Sequence, residues 1–324
     1  MKAVLCKAFG PPEALVVEDI AVPEPGPGEV RIRVGACALN FFDTLIIQNR
    51  YQYKPDLPFS PSAELAGTID AIGEGVEGIR AGDRVVAYSG WGAAREQVVV
   101  PAVRVVPLPD GLDFESAAGL LVTYGTTYHA LKDRANLQAG ETLAVLGASG
   151  GTGIAAVELG KVMGAKVIAC ASSAEKLEFC RKHGADEVVD YSAEPLKDRL
   201  KELTGGRGVD VVYDPVGGDY AEASIRATAW KGRYLVIGFA AGEIPRIPLN
   251  LALLKGMSIC GVFWGQFVDL EGDAARANHM QLVEWAAEGK IAAPVDRRFP
   301  LDQAVEALQV IARRKARGKI VLVP

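Results

Sequence analysis

A chain of 324 residues, 49% hydrophobic and 23% charged, has the composition of a folded globular protein and is longer than one core usually fills. Disorder is therefore excluded and two domains are expected. A formal net charge of −5 argues against nucleic acid or an anionic membrane as the main partner.

The opening stretch, Met1-Lys-Ala-Val-Leu-Cys-Lys7, is short and charged, so it reads as a first strand rather than a leader. No apolar run reaches the roughly 18 residues that a membrane span needs, so a cytoplasmic location is expected. Residues 1–122 look mainly β. Alternating runs such as Glu29-Val-Arg-Ile-Arg-Val-Gly35 are separated by turn-rich stretches such as Pro23-Glu-Pro-Gly-Pro-Gly28.

Over 123–265 the texture changes to apolar strands alternating with helices. Strands are predicted at 142–147, 165–170, 187–190, 209–213, 233–238 and 257–263. Helices are predicted at 126–134, 153–163, 174–183, 195–203 and 219–230. That succession builds a doubly wound parallel sheet. Residues 266–324 add helices near 273–289 and 301–315 and a last strand at 319–323. They have no α/β unit left to complete, so they are expected to fold back onto the β-rich domain.

The run Leu143-Ala-Val-Leu-Gly-Ala-Ser-Gly-Gly-Thr-Gly153 is a buried strand, a glycine turn and a helix start. Ala148, Gly150 and Gly153 occupy the three positions of a G-x-G-x-x-G spacing. Such a turn brings backbone N–H groups of Ser149, Gly150, Gly151 and Thr152 toward a pyrophosphate at a helix N-terminus. A dinucleotide is the expected ligand.

The end of the next strand distinguishes the two nicotinamide coenzymes. NAD sites usually place an acid there for the ribose 2′-hydroxyl. Here Ala171 stands in that place, followed by Ser172, Ser173 and Lys176, with Tyr191 after the third strand. Hydroxyls and a lysine suit a 2′-phosphate, so NADPH is expected. Glu175 is the dissenting residue. The five cysteines form no C-x-x-C pair, and the three histidines lie near no hydrolase or zinc-protease motif.

Several segments together resemble the medium-chain dehydrogenase/reductase superfamily, and within it the zinc-independent NADPH:quinone oxidoreductases, or ζ-crystallin-like group. They are Gly35-Ala-Cys-Ala-Leu-Asn-Phe-Phe-Asp43, Ser62-Ala-Glu-Leu-Ala-Gly67, Gly82-Asp-Arg-Val85, Asp214-Pro-Val-Gly217 and Gly318-Lys-Ile-Val-Leu322. The resemblance implies a Rossmann domain at 123–265 and a GroES-like β-rich domain at 1–122, completed by 266–324. Zinc members carry a cysteine where Asn40 stands and a histidine where Ala63 stands. Both ligands are absent and Glu64 alone cannot assemble a zinc site, so no metal is expected.

The resemblance also implies roles. Asn40 and Thr126 match residues at the nicotinamide end. Gly238, Phe239, Val262 and Phe263 match backbone flanking the nicotinamide ring. Lys176 and Tyr191 match the 2′-phosphate clamp, and Arg314 matches an arginine that closes over the coenzyme, with Arg313, Lys315 and Arg317 near enough to replace it. Tyr51 and Tyr53 lie in a loop that walls the substrate site. A phenol there either donates to a carbonyl oxygen or is a packed loop aromatic, and both readings stay open for the two tyrosines.

The implied activity is hydride transfer from NADPH to a quinone, with Asn40, Tyr51 and Thr126 as the catalytic candidates. The alternative is reduction of an activated alkene such as an acrylate or enoyl thioester. Relatives that serve as lens crystallins or bind RNA suggest a non-enzymatic role, which the acidic balance and the intact glycine turn disfavour. A homodimer is expected from the family and from the apolar run Ile247-Pro-Leu-Asn-Leu-Ala-Leu-Leu254, which could instead cover the coenzyme.

Overall fold

A computed structural model describes all 324 residues. The chain forms two compact units, one made of Met1–Gly125 with Val268–Pro324 and the other of Thr126–Phe267.

The first unit is built on strands β1 (Lys2–Leu5), β2 (Val16–Asp19), β3 (Glu29–Leu39), β4 (Glu64–Ile72), β5 (Arg84–Tyr88), β6 (Gln97–Pro101) and β7 (Val105–Pro107), with helix α1 (Phe41–Ile46) between β3 and β4. In β3 the buried Val30, Ile32 and Val34 alternate with Arg31 and Arg33, both of which pair with Asp70 on β4. One face thus enters the core while the other carries ion pairs. Helix α2 (Phe114–Ala118) follows, capped by the Asp113 carboxylate on the Ser116 N–H. It runs through a π-helical stretch, Leu120–Tyr124, into α3 (Gly125–Tyr128) and a second such stretch, His129–Arg134.

The second unit continues with β8 (Thr142–Leu146), α4 (Gly151–Val162), β9 (Lys166–Ala171), α5 (Ala174–Lys182), β10 (Glu187–Asp190), α6 (Leu196–Leu203), β11 (Val209–Asp214), α7 (Asp219–Arg226), β12 (Thr228–Val236), α8 (Asn250–Lys255) and β13 (Ser258–Gly261). The strands are all parallel in the order β10-β9-β8-β11-β12-β13, the arrangement of a dinucleotide-binding Rossmann sheet. β8, buried along its whole length, reads as a continuous apolar run for that reason.

Helix α9 (Trp264–Leu270) leads into α10 (Gly272–Ala287), β14 (Val295–Pro300), α11 (Ala304–Ala312) and β15 (Lys319–Val323). β15 pairs parallel with β14 and antiparallel with β3, so the last strand enters the seven-stranded sheet of the first unit, whose order is β14-β15-β3-β4-β5-β7 with β6 paired to β3 off that path. This is the GroES-like β-rich half expected from the sequence.

The predicted helix at 219–230 ends at Arg226, and β12 begins at Thr228 rather than 233. Lys231 has a φ of 61° and the β11–β12 register shifts beside it, so the strand is broken by a bulge that hides its alternation. Helices α1, α8 and α9 were not expected. Each is seven residues or fewer, too short for a helical period to show.

Candidate active site

In the second unit the glycine turn lies between β8 and α4. Gly147 has a φ of 58°, a conformation that favours glycine. A Cβ on Gly153 would stand 2.3 Å from the Gly147 carbonyl oxygen and 2.7 Å from Ala148 Cα, so the third glycine lets the helix seat on the turn. Gly150 is the N-cap of α4 and no side chain caps this helix, which leaves the N–H groups of Gly151 and Thr152 to an outside acceptor. Facing the turn is the loop after β11. Asp214 Oδ1 accepts the N–H groups of Val216 and Gly217 at 2.7 and 2.8 Å, and Tyr234 donates to Oδ2. Burial pushes the Asp214 carboxyl up despite these donors.

At the end of β9, Ala171 is buried and Ser172 is exposed. Lys176 Nζ lies 3.3 Å from Ser172 Oγ, while Ser173 caps α5 by accepting the Lys176 N–H. Tyr191 hydrogen-bonds through its N–H to Ala171 O, which places it beside this cluster. Ser192, which the sequence reading missed, donates its hydroxyl to Asp190 Oδ1 at 2.5 Å and lies 3.4 Å from Ser172 O. These residues fit a coenzyme carrying a 2′-phosphate: the turn leaves N–H groups of α4 without a side-chain cap, and the end of β9 presents an ammonium and hydroxyls with alanine at position 171.

Gly238 and Phe239 follow β12, and Val262 and Phe263 lie at the end of β13. These are adjacent parallel strands, so the four residues gather at neighbouring carboxyl ends. Thr126 lies in α3 between the two π-helical stretches, half-buried. Its neighbour Thr127 is buried against the Tyr213 hydroxyl at 2.8 Å.

In the first unit, Asn40 ends β3 and leads into α1. Its side chain is 7% exposed. Asn40 Nδ2 donates to Glu64 Oε1 at 2.9 Å, and Asn40 Oδ1 accepts from Lys319 Nζ at 2.6 Å. Lys319 also bonds Glu64 Oε1 at 2.8 Å, while Glu64 Oε2 accepts the Val122 N–H at 2.8 Å. Asp43 accepts the N–H groups of Asn40 and Ser62 at 2.7 and 2.8 Å. This donor set does not suit zinc: Ala63 offers no ligand, Asn40 offers an amide already bonded to Glu64 and Lys319, and an ammonium already occupies Glu64. Lys319 escaped the sequence reading because its partners lie far away in the chain. The available signal was a lone cation opening one apolar strand and an anion, Glu64, opening another.

Tyr51 stacks on Phe42 of α1, with ring centroids 5.2 Å apart and planes 24° apart. Its hydroxyl has no hydrogen-bond partner in the chain. Burial, followed by the nearby Tyr53 and Asp43, pushes the phenol up to about 12. Tyr53 is differently held. Its hydroxyl reaches Asp269 Oδ2 at 3.4 Å and its ring tilts against Tyr51 and Trp91. A separate cavity of about 1150 Å³ in this unit is lined by Tyr88, Arg104, Asp269 and Arg276. Its cations are engaged already, Arg104 with Asp269 at 2.9 Å and Arg276 with the Val105 carbonyl. Arg314, after α11, is exposed at a φ of 56°.

Two family models match the chain. Residues 26–110 match the alcohol dehydrogenase GroES-like domain, and residues 151–280 match the zinc-binding dehydrogenase family. A quinone oxidoreductase-like protein 2 homolog from Nematostella vectensis is 40% identical over 325 residues, covering 99% of this chain and 88% of the relative. The chain belongs to the quinone oxidoreductase group of the medium-chain dehydrogenase/reductase superfamily. It is therefore an oxidoreductase.

A quinone oxidoreductase from Pseudomonas aeruginosa is 36% identical over 325 residues, covering 100% of this chain and 99% of the relative. Among solved structures, the Escherichia coli quinone oxidoreductase complexed with NADPH superposes with a TM-score of 0.93 at 29% identity, covering 100% of both chains. The zinc-binding description attached to the second domain family has no counterpart in the residues around Asn40. No helix of the chain is long and apolar enough to cross a membrane.

Proposed function

We propose that the protein is an NADPH-dependent, zinc-independent oxidoreductase whose acceptor is a quinone or a similarly electron-poor conjugated carbonyl compound. The observation that carries this reading is the end of β9, where Lys176 and Ser172 meet and Ala171 leaves no carboxylate to repel a 2′-phosphate. The E. coli relative bound to NADPH supports it.

In this reading Ser149, Gly151 and Thr152 receive the pyrophosphate on their N–H groups, aided by the dipole of α4, while Gly150, whose N–H is given to the Gly147 carbonyl, lines the turn without a Cβ. Ser172, Ser173, Lys176 and Tyr191 receive the 2′-phosphate. Gly238, Phe239, Val262, Phe263 and Thr126 flank the nicotinamide end. NADPH, when bound, supplies the hydride. The first unit supplies the acceptor wall, with Tyr51 as its donor. Its unpartnered hydroxyl stabilises charge growing on the acceptor's carbonyl oxygen. With a phenol pushed up to about 12, Tyr51 stays protonated and polarises the carbonyl, while solvent delivers the final proton. With no Lewis acid in the donor set, acceptors that take hydride readily are favoured.

A homodimer is part of the same proposal. β13 is the edge of the Rossmann sheet. Near it Leu249, Leu253 and Leu254 are 76, 79 and 68% exposed, apolar side chains that a second copy would cover.

The experiment is NADPH and NADH oxidation with a quinone panel beside a panel of enones, acrylates and enoyl thioesters. Faster turnover with NADPH on quinones is expected. Equal use of NADH would remove the coenzyme assignment, and silence on both panels would remove the reaction.

A further inference from the structure

Lys319 opens β15, and its ammonium is turned into the interior, where Asn40 Oδ1, Glu64 Oε1 and Leu39 O lie at 2.6, 2.8 and 3.3 Å. The ion-paired side chains of Lys319 and Glu64 are 2% and 0% exposed. Asn40 Nδ2 bonds Glu64 and points its other hydrogen toward Ala38 O at 3.5 Å. Both ends of the Asn40 amide are thus directed inward, and neither is left for an acceptor. The same residue starts α1: its backbone N–H is held by Asp43, three residues on, and Phe42 between them carries the stacked ring of Tyr51.

We propose that Lys319 is a positioning residue for the acceptor wall. Its charge locks Asn40 against Glu64, Asn40 fixes the start of α1, and α1 sets through Phe42 where the Tyr51 hydroxyl stands. The proposal rests on the reading of Tyr51 as the hydrogen-bond donor to the acceptor. It also explains why a lysine begins an otherwise apolar strand. A buried ammonium between an amide oxygen and a carboxylate holds both in one orientation, because turning either away strands a charge.

The test combines Lys319→Met, Lys319→Arg and the neutral pair Lys319→Met with Glu64→Gln, each with and without Tyr51→Phe. It measures thermal midpoint, KM for NADPH, and kcat and KM for one quinone. In the unmodified protein Tyr51→Phe is expected to lower kcat/KM about tenfold. Lys319→Met is expected to lower kcat/KM for the quinone by a similar factor with KM for NADPH unchanged, and to make Tyr51→Phe nearly silent, because the phenol has already lost its place. Lys319→Arg should recover part of the loss. If Lys319→Met does not fold, the neutral pair removes both charges together and should show the same silencing.

A merely structural lysine would lower the midpoint yet leave the full Tyr51→Phe effect in every folded variant, and that result overturns the proposal. If Tyr51→Phe has no effect in the unmodified protein, the donor reading fails and takes this proposal with it. A normal response of that protein with no coupling to Lys319 sinks the proposal alone.

Discussion

Tyr191 and Tyr220 pack ring against ring, their centroids 4.3 Å apart and their planes 38° apart. Tyr220 lies in the first turn of α7, so a helix that follows β11 braces a residue that follows β10. The contact limits where the Tyr191 phenol can stand relative to Lys176 and Ser172.

Coenzyme preference should therefore respond to both residues in different degrees. A hydrogen bond to a charged group is worth about 1.5–3 kcal/mol, so Lys176→Ala should raise KM for NADPH roughly 10- to 100-fold and leave KM for NADH nearly unchanged. An aromatic pair adds about 0.5–1.5 kcal/mol, so Tyr220→Ala should cost NADPH only several-fold, with Tyr220→Phe close to the original. Steady-state kinetics with both coenzymes decides it. A Lys176→Ala variant with an unchanged NADPH to NADH ratio would move the 2′-phosphate elsewhere.

The two glycines flanking the start of α4 should separate folding from binding. A Cβ at Gly153 meets backbone at 2.3 and 2.7 Å, which cannot yield without moving the helix, so Gly153→Ala should lose stability by about 1–3 kcal/mol. At Gly150 a Cβ meets only Gly147 O at 3.4 Å and φ is −76°, so Gly150→Ala should keep its thermal midpoint. The new methyl would enter the space assigned to the phosphates, and NADPH affinity, read by fluorescence titration, should fall at least tenfold. Undiminished binding by a folded Gly150→Ala variant would contradict the phosphate cradle.

Much of the second unit is legible in the sequence because its strands are buried on both faces and its helices are long. Apolar runs and glycine punctuation there report the order of strands directly, and Ala171 followed by Ser172 and Lys176 reports the charge the site can accept. The first unit hides more. The partners of Lys319, Asn40 and Glu64, are 279 and 255 positions away in sequence, a relation that strand pairing creates and local pattern does not carry. Phe42 is equally silent in sequence, since its role arises from a six-residue helix and a loop that folds Tyr51 over it. Asn40 was legible as a site residue, but the inward direction of its amide was not.

Asp43 is fully buried, and burial pushes its carboxyl up to about 7. The N–H groups of Asn40 and Ser62 and the charge of Lys319 pull it down, and Glu64 pushes it further up. The folded value exceeds the ordinary one, so the folded chain binds this proton more tightly. The stabilisation is complete below about pH 4 and is lost as pH rises through about 7. His279 acts in the opposite sense: burial, then Arg276, lower it to about 4, so its contribution is present above about pH 6.5 and lost on acidification. The two overlap and partly cancel. A difference measurement separates them: urea unfolding of the unmodified chain and of Asp43→Asn at several pH values. The stability of the unmodified chain relative to the variant should decline from pH 4 to pH 7, by at most roughly 4 kcal/mol. A difference that does not vary with pH would mean that Asp43 titrates normally.

The exposed apolar face beside β13 yields the prediction on assembly. Trp230 and Ile244 are each 68% exposed, and Leu249 and Leu253 more so, while β13 leaves one side of its backbone unpaired. A second copy bringing the same edge to this one would extend the sheet and cover the leucines at once, a self-complementary contact of the kind twofold dimers use. Sedimentation at micromolar concentration should give twice the chain mass of 34.3 kDa. Leu253→Glu should place a charge in that contact and shift the protein toward monomer while NADPH titration stays unchanged, since Leu253 is assigned no coenzyme contact. A Leu253→Glu variant that stays dimeric would place the interface on another face. Loss of NADPH binding in a well-folded variant would instead favour the reading in which this apolar segment covers the coenzyme.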